Sequence, residues 1–455
     1  MRTEQMILGW LMNPSGSHRA GWMKFLDKPD PLTDISVWTE LAREAERAKL
    51  DFIFHADWPS VRPGAHAMIA RNTSYNNHLE PLTVMSALSS VTSGIGLVAT
   101  GSTSHNEPYN LARQFAALDH VSHGRAGWNI VTSRSPIAAL NYGHEREIPH
   151  AERYRRGEEF VDVVMKLWDS YEDDAFVRDT ESGYYFDPKK LHVQDHVGEY
   201  YRVRGPLNIA RPPQGYPVRF QAGASDVGRQ LGARVADVLF CTYGDLDVML
   251  DYYRETKNLT STFGRRPGDV KVCCGFEPIV AQSEAEAEDK LEELNALLHP
   301  DTIREVVSND IEADISHLQL DDYVTVADLP RDANSSKSAD KLLRSWLNER
   351  SMTVREIFSK FSSARSALSV HGTPQQIADK MEEWFTAGAV DGFMLIFTLP
   401  TGMRDFGRLV VPELQRRGLF KTEYAGKTLR ENLGLRRPAF GEFEPQRDSV
   451  TGIKV

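Results

Sequence analysis

Residues 95–133 read IGLVATGSTSHNEPYNLARQFAALDHVSHGRAGWNIVTS and contain one full repeat of the pattern that runs through the chain. Residues 95–103 form an apolar run of strand length, 108–121 carry apolar residues at helical spacing, and 125–133 form a second apolar run. Strand, helix and strand in that order predict a parallel pair joined by a crossover helix. Toward the N-terminus the same alternation gives strands over 6–12 and 52–58. Helices follow over 34–49, with Ile35, Trp38, Leu41 and Ala45 on one face, and over 81–91. Toward the C-terminus come a helix over 151–168 and strands over 218–222, 238–241, 270–281 and 392–397. Between and after them lie helices over about 226–235, 246–262, 284–298 and 406–417. Eight strand–helix units predict a closed α/β fold, the (β/α)8 or TIM barrel. An open doubly wound sheet usually shows a G-x-G-x-x-G turn after its first strand, and none follows Met12.

Two segments break the alternation. Residues 172–213 are rich in Asp, Tyr, Gly and Pro, and 300–373 are polar with scattered helical patches. Both read as insertions on one domain spanning 1–455, with a C-terminal extension over 419–455. The segment 300–373 is expected to be partly helical and to form a lid.

The 455 residues carry 53 basic and 64 acidic side chains, a formal charge of −11, and are 41% hydrophobic. This acidic balance argues against nucleic acid or an anionic membrane as partner. No apolar run approaches the roughly 20 residues of a membrane span, and the N-terminus lacks a secretory pattern, so a cytoplasmic location is expected. Cys241, Cys273 and Cys274 sit in apolar runs and read as small core residues.

In a barrel, the C-terminal strand ends meet at the active face. Those ends offer Asn13 and His18; His55, Ala56 and Asp57; Thr100, Ser102, Thr103 and His105; and Asn129, Thr132 and Ser133. After the fifth strand, Gln221-Ala222-Gly223-Ala224-Ser225 runs into a helix, where backbone N–H groups and the helix dipole suit an anion. Ser225 also reads as an ordinary helix cap, and His150 and Tyr154, four apart on a helix, as a packing pair. No H-x-H, H-E-x-x-H or G-x-S-x-G pattern occurs, so neither a metal site nor a nucleophile elbow is predicted.

The stretch Gly124-Arg125-Ala126-Gly127-Trp128-Asn129-Ile130-Val131-Thr132-Ser133 resembles a signature of the bacterial luciferase-like flavin monooxygenases. The likeness is to their nitrilotriacetate, dibenzothiophene sulfone and EDTA monooxygenase branch. It continues through residues 107–113, 200–217, 221–223 and 426–435, nearly the whole chain. The resemblance implies FMN binding at Asp57, Thr100, His150, Tyr154 and Ser225, with Asn129 a further polar contact to the ring. It implies that reduced FMN from a separate NAD(P)H:flavin reductase reacts with O2, and that the resulting C4a-(hydro)peroxyflavin oxidises a small organosulfur, amino-polycarboxylate or aromatic compound. No catalytic side chain is then demanded, although His18 and His317 are candidates.

The substrate pocket is expected to be lined by Trp10, His18, Phe54, His317 and Phe397, with Arg331, Arg344 and Arg350 available for an acid pocket. A dimer or tetramer is expected by the same resemblance. Three other functions fit the same barrel: a deazaflavin-dependent oxidoreductase, a non-catalytic flavin-binding protein and a metal-dependent hydrolase.

Overall fold

The computed structural model describes residues 4–25, 30–61, 70–71, 76–133, 135–223, 225–311, 315, 317–329, 337–364 and 368–443. Nine parallel strands make up the main sheet: β1 (Ile7–Leu11), β2 (Phe52–His55), β3 (Gly96–Ser102), β4 (Ala126–Val131), β5 (Val218–Gln221), β6 (Val238–Cys241), β7 (Lys271–Val280), β8 (Leu368–Gly372) and β9 (Gly392–Leu395). Strands β1 to β7 pair in sequence, β7 pairs with β9, and β9 returns to β1, which closes a barrel of eight. The chain thus forms the expected (β/α)8 barrel.

Alternation within each strand sorts the side chains. Ile7, Phe52, Phe54, Val98, Phe220 and Met394 fill the barrel interior. Leu8, Trp10, Ile53 and Leu97 instead join the layer between strands and helices. A Cβ at Gly9 would lie 2.1 Å from the Phe52 ring, so glycine there makes room for that ring inside the barrel.

Several strands end earlier than their apolar runs. Residues 56–58, 132–133 and 396–397 leave the ladder and become loop at the barrel mouth.

Strand β8 lies within 300–373, beside the helical patches expected there. The ten-residue β7 divides its edge: Cys273–Phe276 pair with β9, and Phe276–Val280 pair with β8. The seam between β7 and β9 therefore widens toward the C-terminal end of the barrel. Ser369 and His371 interrupt a five-residue run whose middle is only half-buried, too short and polar for an apolar pattern to stand out.

Elsewhere in 300–373, helices Pro300–Ile311, Lys337–Glu349 and Val354–Ala364 surround a core of their own that includes Val307, Val324, Leu343 and Ile357. Ala20 and Met23 from the loop after β1 pack against it. In 172–213 the regular structure is slight, chiefly the antiparallel pair His196–Val197 and Arg202–Val203.

The extension after Leu419 closes the opposite, N-terminal end of the barrel. Its short helix Leu429–Asn432 places Leu429 and Leu433 in the interior cluster, with Leu435 following. Thr428 caps that helix in a reciprocal box with Glu431. No helix among the described residues is long and apolar enough to cross a membrane.

Candidate active site

Thr100 and Asn129 stand opposite each other on β3 and β4. Thr100 Oγ1 donates to the His55 carbonyl at 2.8 Å and accepts from Asn129 Nδ2 at 2.9 Å, which fixes the orientation of the Asn129 amide. Its Oδ1 is buried without a hydrogen-bond partner among the described residues. A buried carbonyl left so is costly unless a ligand N–H reaches it. Asp57, two residues beyond β2, lies 3.8 Å from His78 Nε2.

After β5 the chain turns into helix Asp226–Val235. Ser225 is its N-cap: Oγ accepts from the Gly228 N–H at 3.2 Å and lies 3.4 Å from the Tyr154 hydroxyl. Tyr154 is buried and His150 is exposed, their ring centroids 4.9 Å apart on one helix. A Cβ at Gly228 would approach Tyr154 Oη to 2.9 Å and Ser225 Oγ to 3.1 Å. The missing side chain keeps a bare backbone cradle at a helix N-terminus, lined by two hydroxyls.

A cavity of about 390 Å³ opens on the same barrel face, at the ends of β1, β2, β7 and β9. Leu11, His18, His55, Glu277 and Phe397 line it, and Phe358 from the 300–373 insertion forms part of its wall. Ser17 and His18 are held to the β9 end by N–H bonds to the Phe397 and Thr398 carbonyls. His18 Nδ1 accepts from the Ala20 N–H at 3.1 Å, so Nε2 carries the proton and donates to Asn295 Oδ1 at 3.2 Å. Burial lowers the pKa of His18 and of His55, whose Nε2 donates to the Leu79 carbonyl. Both rings are neutral near pH 7. Burial likewise lowers the pKa of His105, which stacks on Tyr142 at 4.7 Å.

The structure brings together Thr100 with Asn129, and Ser225 with Tyr154, and it places His18 and Phe397 in the cavity wall. It does not bring in the remaining pocket residues. Trp10 faces the helix layer, 5.9 Å from Phe397, because alternation points its neighbour Leu11 to the cavity instead. Phe54 packs inside the barrel against Phe220. His317 is exposed in a turn after helix Pro300–Ile311 and does not line the cavity. Arg350 pairs with Glu356 on an exposed surface, and Arg331 lies outside the described residues.

Glu277 and Arg19, both in the cavity wall, were not among the expected site residues. An acidic residue within the otherwise apolar run of β7 is the signal that could have found Glu277. No group of His, Cys, Asp and Glu able to hold a metal occurs among the described residues.

Residues 19–391 match the family model described as luciferase-like monooxygenase. Nitrilotriacetate monooxygenase component A of Aminobacter aminovorans is 42% identical, over 97% of this chain and 99% of that protein. N-acetyl-S-(2-succino)cysteine monooxygenase of Bacillus subtilis (strain 168) is also 42% identical, over 96% and 98%. The crystal structure of a riboflavin lyase with modified FMN and its substrate riboflavin superposes with a TM-score of 0.80 at 30% identity, covering 96% of this chain and 97% of that one. The chain belongs to the luciferase-like monooxygenase family.

Proposed function

We propose that this monooxygenase is the oxygenase component of a two-component system, using reduced FMN from a separate NAD(P)H:flavin reductase and O2 to oxidise a small organosulfur, amino-polycarboxylate or aromatic compound. The observation that carries the proposal is the bare cradle at Ser225, Gly228 and Tyr154, set on the same barrel face as a 390 Å³ cavity with an apolar wall. Bound reduced flavin supplies the electrons that activate O2.

The chain's own residues bind, orient and exclude water. Ser225, Tyr154 and the free N–H groups at the start of helix Asp226–Val235 hold the phosphate, and His150 stands at the rim. The unpartnered Asn129 Oδ1 accepts an N–H of the ring system, and Thr100 keeps that amide turned toward it. Leu298, Phe358 and Phe397 line the cavity and keep it dry. The family resemblance to an enzyme called component A supports a reductase partner.

Calorimetry with FMN and riboflavin tests the reading. FMN is expected to bind tighter by about 3 kcal/mol, and Ser225→Ala with Tyr154→Phe should remove most of the difference. Equal affinities for the two flavins in the unaltered protein would place the phosphate elsewhere.

A further inference from the structure

Cys241 and Cys274 stand opposite each other on β6 and β7. Partners in register point to the same face, and both reach the layer between strands and helices, whereas Cys273 turns into the barrel interior. Cys241 Sγ lies 3.6 Å from Met249 Sδ, and Cys274 Sγ donates to the Tyr243 carbonyl at 3.3 Å. Cys241 is half-buried at the end of its strand, while Cys273 and Cys274 are both fully buried.

Two neighbours of equal burial therefore differ only in their partners. Cys273 has no thiol beside it on its own face, and burial pushes its pKa well up. Cys274 receives the Cys241 S–H, and this donor holds its thiol below the usual range against burial. The first proton lost by the pair leaves a charge that the remaining S–H stabilises. Neighbouring strands run about 4.8 Å apart, inside the Cα separation of roughly 4.4–6.8 Å that a disulfide spans.

We infer that Cys241 and Cys274 form a dithiol that hydrogen peroxide closes to a disulfide between β6 and β7. The thiolate of the pair attacks one peroxide oxygen, the O–O bond breaks, and a sulfenic acid and water form. The second sulfur then attacks the sulfenic sulfur and a second water leaves, so two thiols and one peroxide give one disulfide and two waters. Closure removes the S–H that Cys274 donates to the Tyr243 carbonyl and pins the end of β6 to β7. Reduced flavin left with O2 and no substrate yields this oxidant, a source that rests on the proposed function. The test adds peroxide directly, so the two readings fail separately.

The flavin-free full chain is treated with a small excess of hydrogen peroxide, denatured, alkylated with iodoacetamide and mapped by mass spectrometry. One alkylated thiol per chain, Cys273, is expected, together with a peptide linking Cys241 to Cys274, and dithiothreitol should restore all three thiols. Cys241→Ser should slow the loss of the Cys274 thiol at least tenfold, to the rate of Cys273. If that variant fails to fold, the peptide map of the unaltered chain decides. Three alkylated thiols after peroxide overturn the inference. So do a link through Cys273, a sulfinic acid on Cys241 beside a free Cys274, or loss of Cys274 as fast in Cys241→Ser.

Discussion

His18 is held as a neutral ring by burial and by the Ala20 N–H that its Nδ1 accepts, against the opposing pull of its bond to Asn295, and His55 and His105 have pKa values lowered by burial first. With folded pKa values below the unfolded value of about 6.5, the unfolded chain binds more protons as pH falls through this window. Their contribution to stability is therefore present above about pH 6.5 and is lost as pH falls toward the folded values. The melting temperature should fall between pH 7.5 and 5.5, and less steeply in His18→Gln. An identical slope in that variant would show that His18 is not held neutral by its surroundings. At this scale position marked Thr100 and Asn129 as strand ends and Ser225 in a small-residue turn, whereas Tyr154, on a helix, entered only through the family resemblance. Arg19 was not visible, and Glu277 was marked only as an acidic residue within an apolar strand. Which side of a loop or strand faces a cavity depends on packing around it, as Trp10 and Leu11 illustrate from the other direction.

The helix Asp226–Val235 shows how an element serves a site through what it omits. Exposed helix positions gain about 1 kcal/mol from Gly→Ala, but a methyl group on Gly228 would press on Tyr154 Oη at 2.9 Å. Gly228→Ala should lower FMN affinity at least tenfold while changing the stability of the flavin-free protein by no more than about 1 kcal/mol. Calorimetry and urea unfolding check the two halves, and unchanged FMN affinity would remove the cradle from the flavin site. Helix Leu429–Asn432 acts at the other end, where Leu429 is fully buried in the barrel interior. Leu429→Ala should cost about 2–5 kcal/mol in urea unfolding, and a loss below 1 kcal/mol would mean that this helix does not close the floor. The eight barrel strands were legible because parallel strands buried on both faces read as continuous apolar runs. Strand β8 was not, since it pairs only with the upper half of β7 and leaves Ser369 and His371 half-buried.

For the whole molecule, closure of the barrel consumes the regular strand–helix units and leaves two insertions, neither of which contains a G-x-G-x-x-G turn. Neither insertion therefore carries the sequence mark of a nicotinamide site of the usual doubly wound kind. The proposed chemistry is that this barrel oxygenates a small molecule with reduced FMN made elsewhere. It is tested most directly by mass spectrometry of products formed under 18O2 from a panel of organosulfur, amino-polycarboxylate and aromatic compounds, with NADH, FMN and a flavin reductase from an unrelated source. A product carrying one 18O atom is expected only when both reductase and protein are present, with negligible NADH oxidation by the protein alone. Product formation by the isolated chain with NADH, or a product whose new oxygen comes from water, would contradict it.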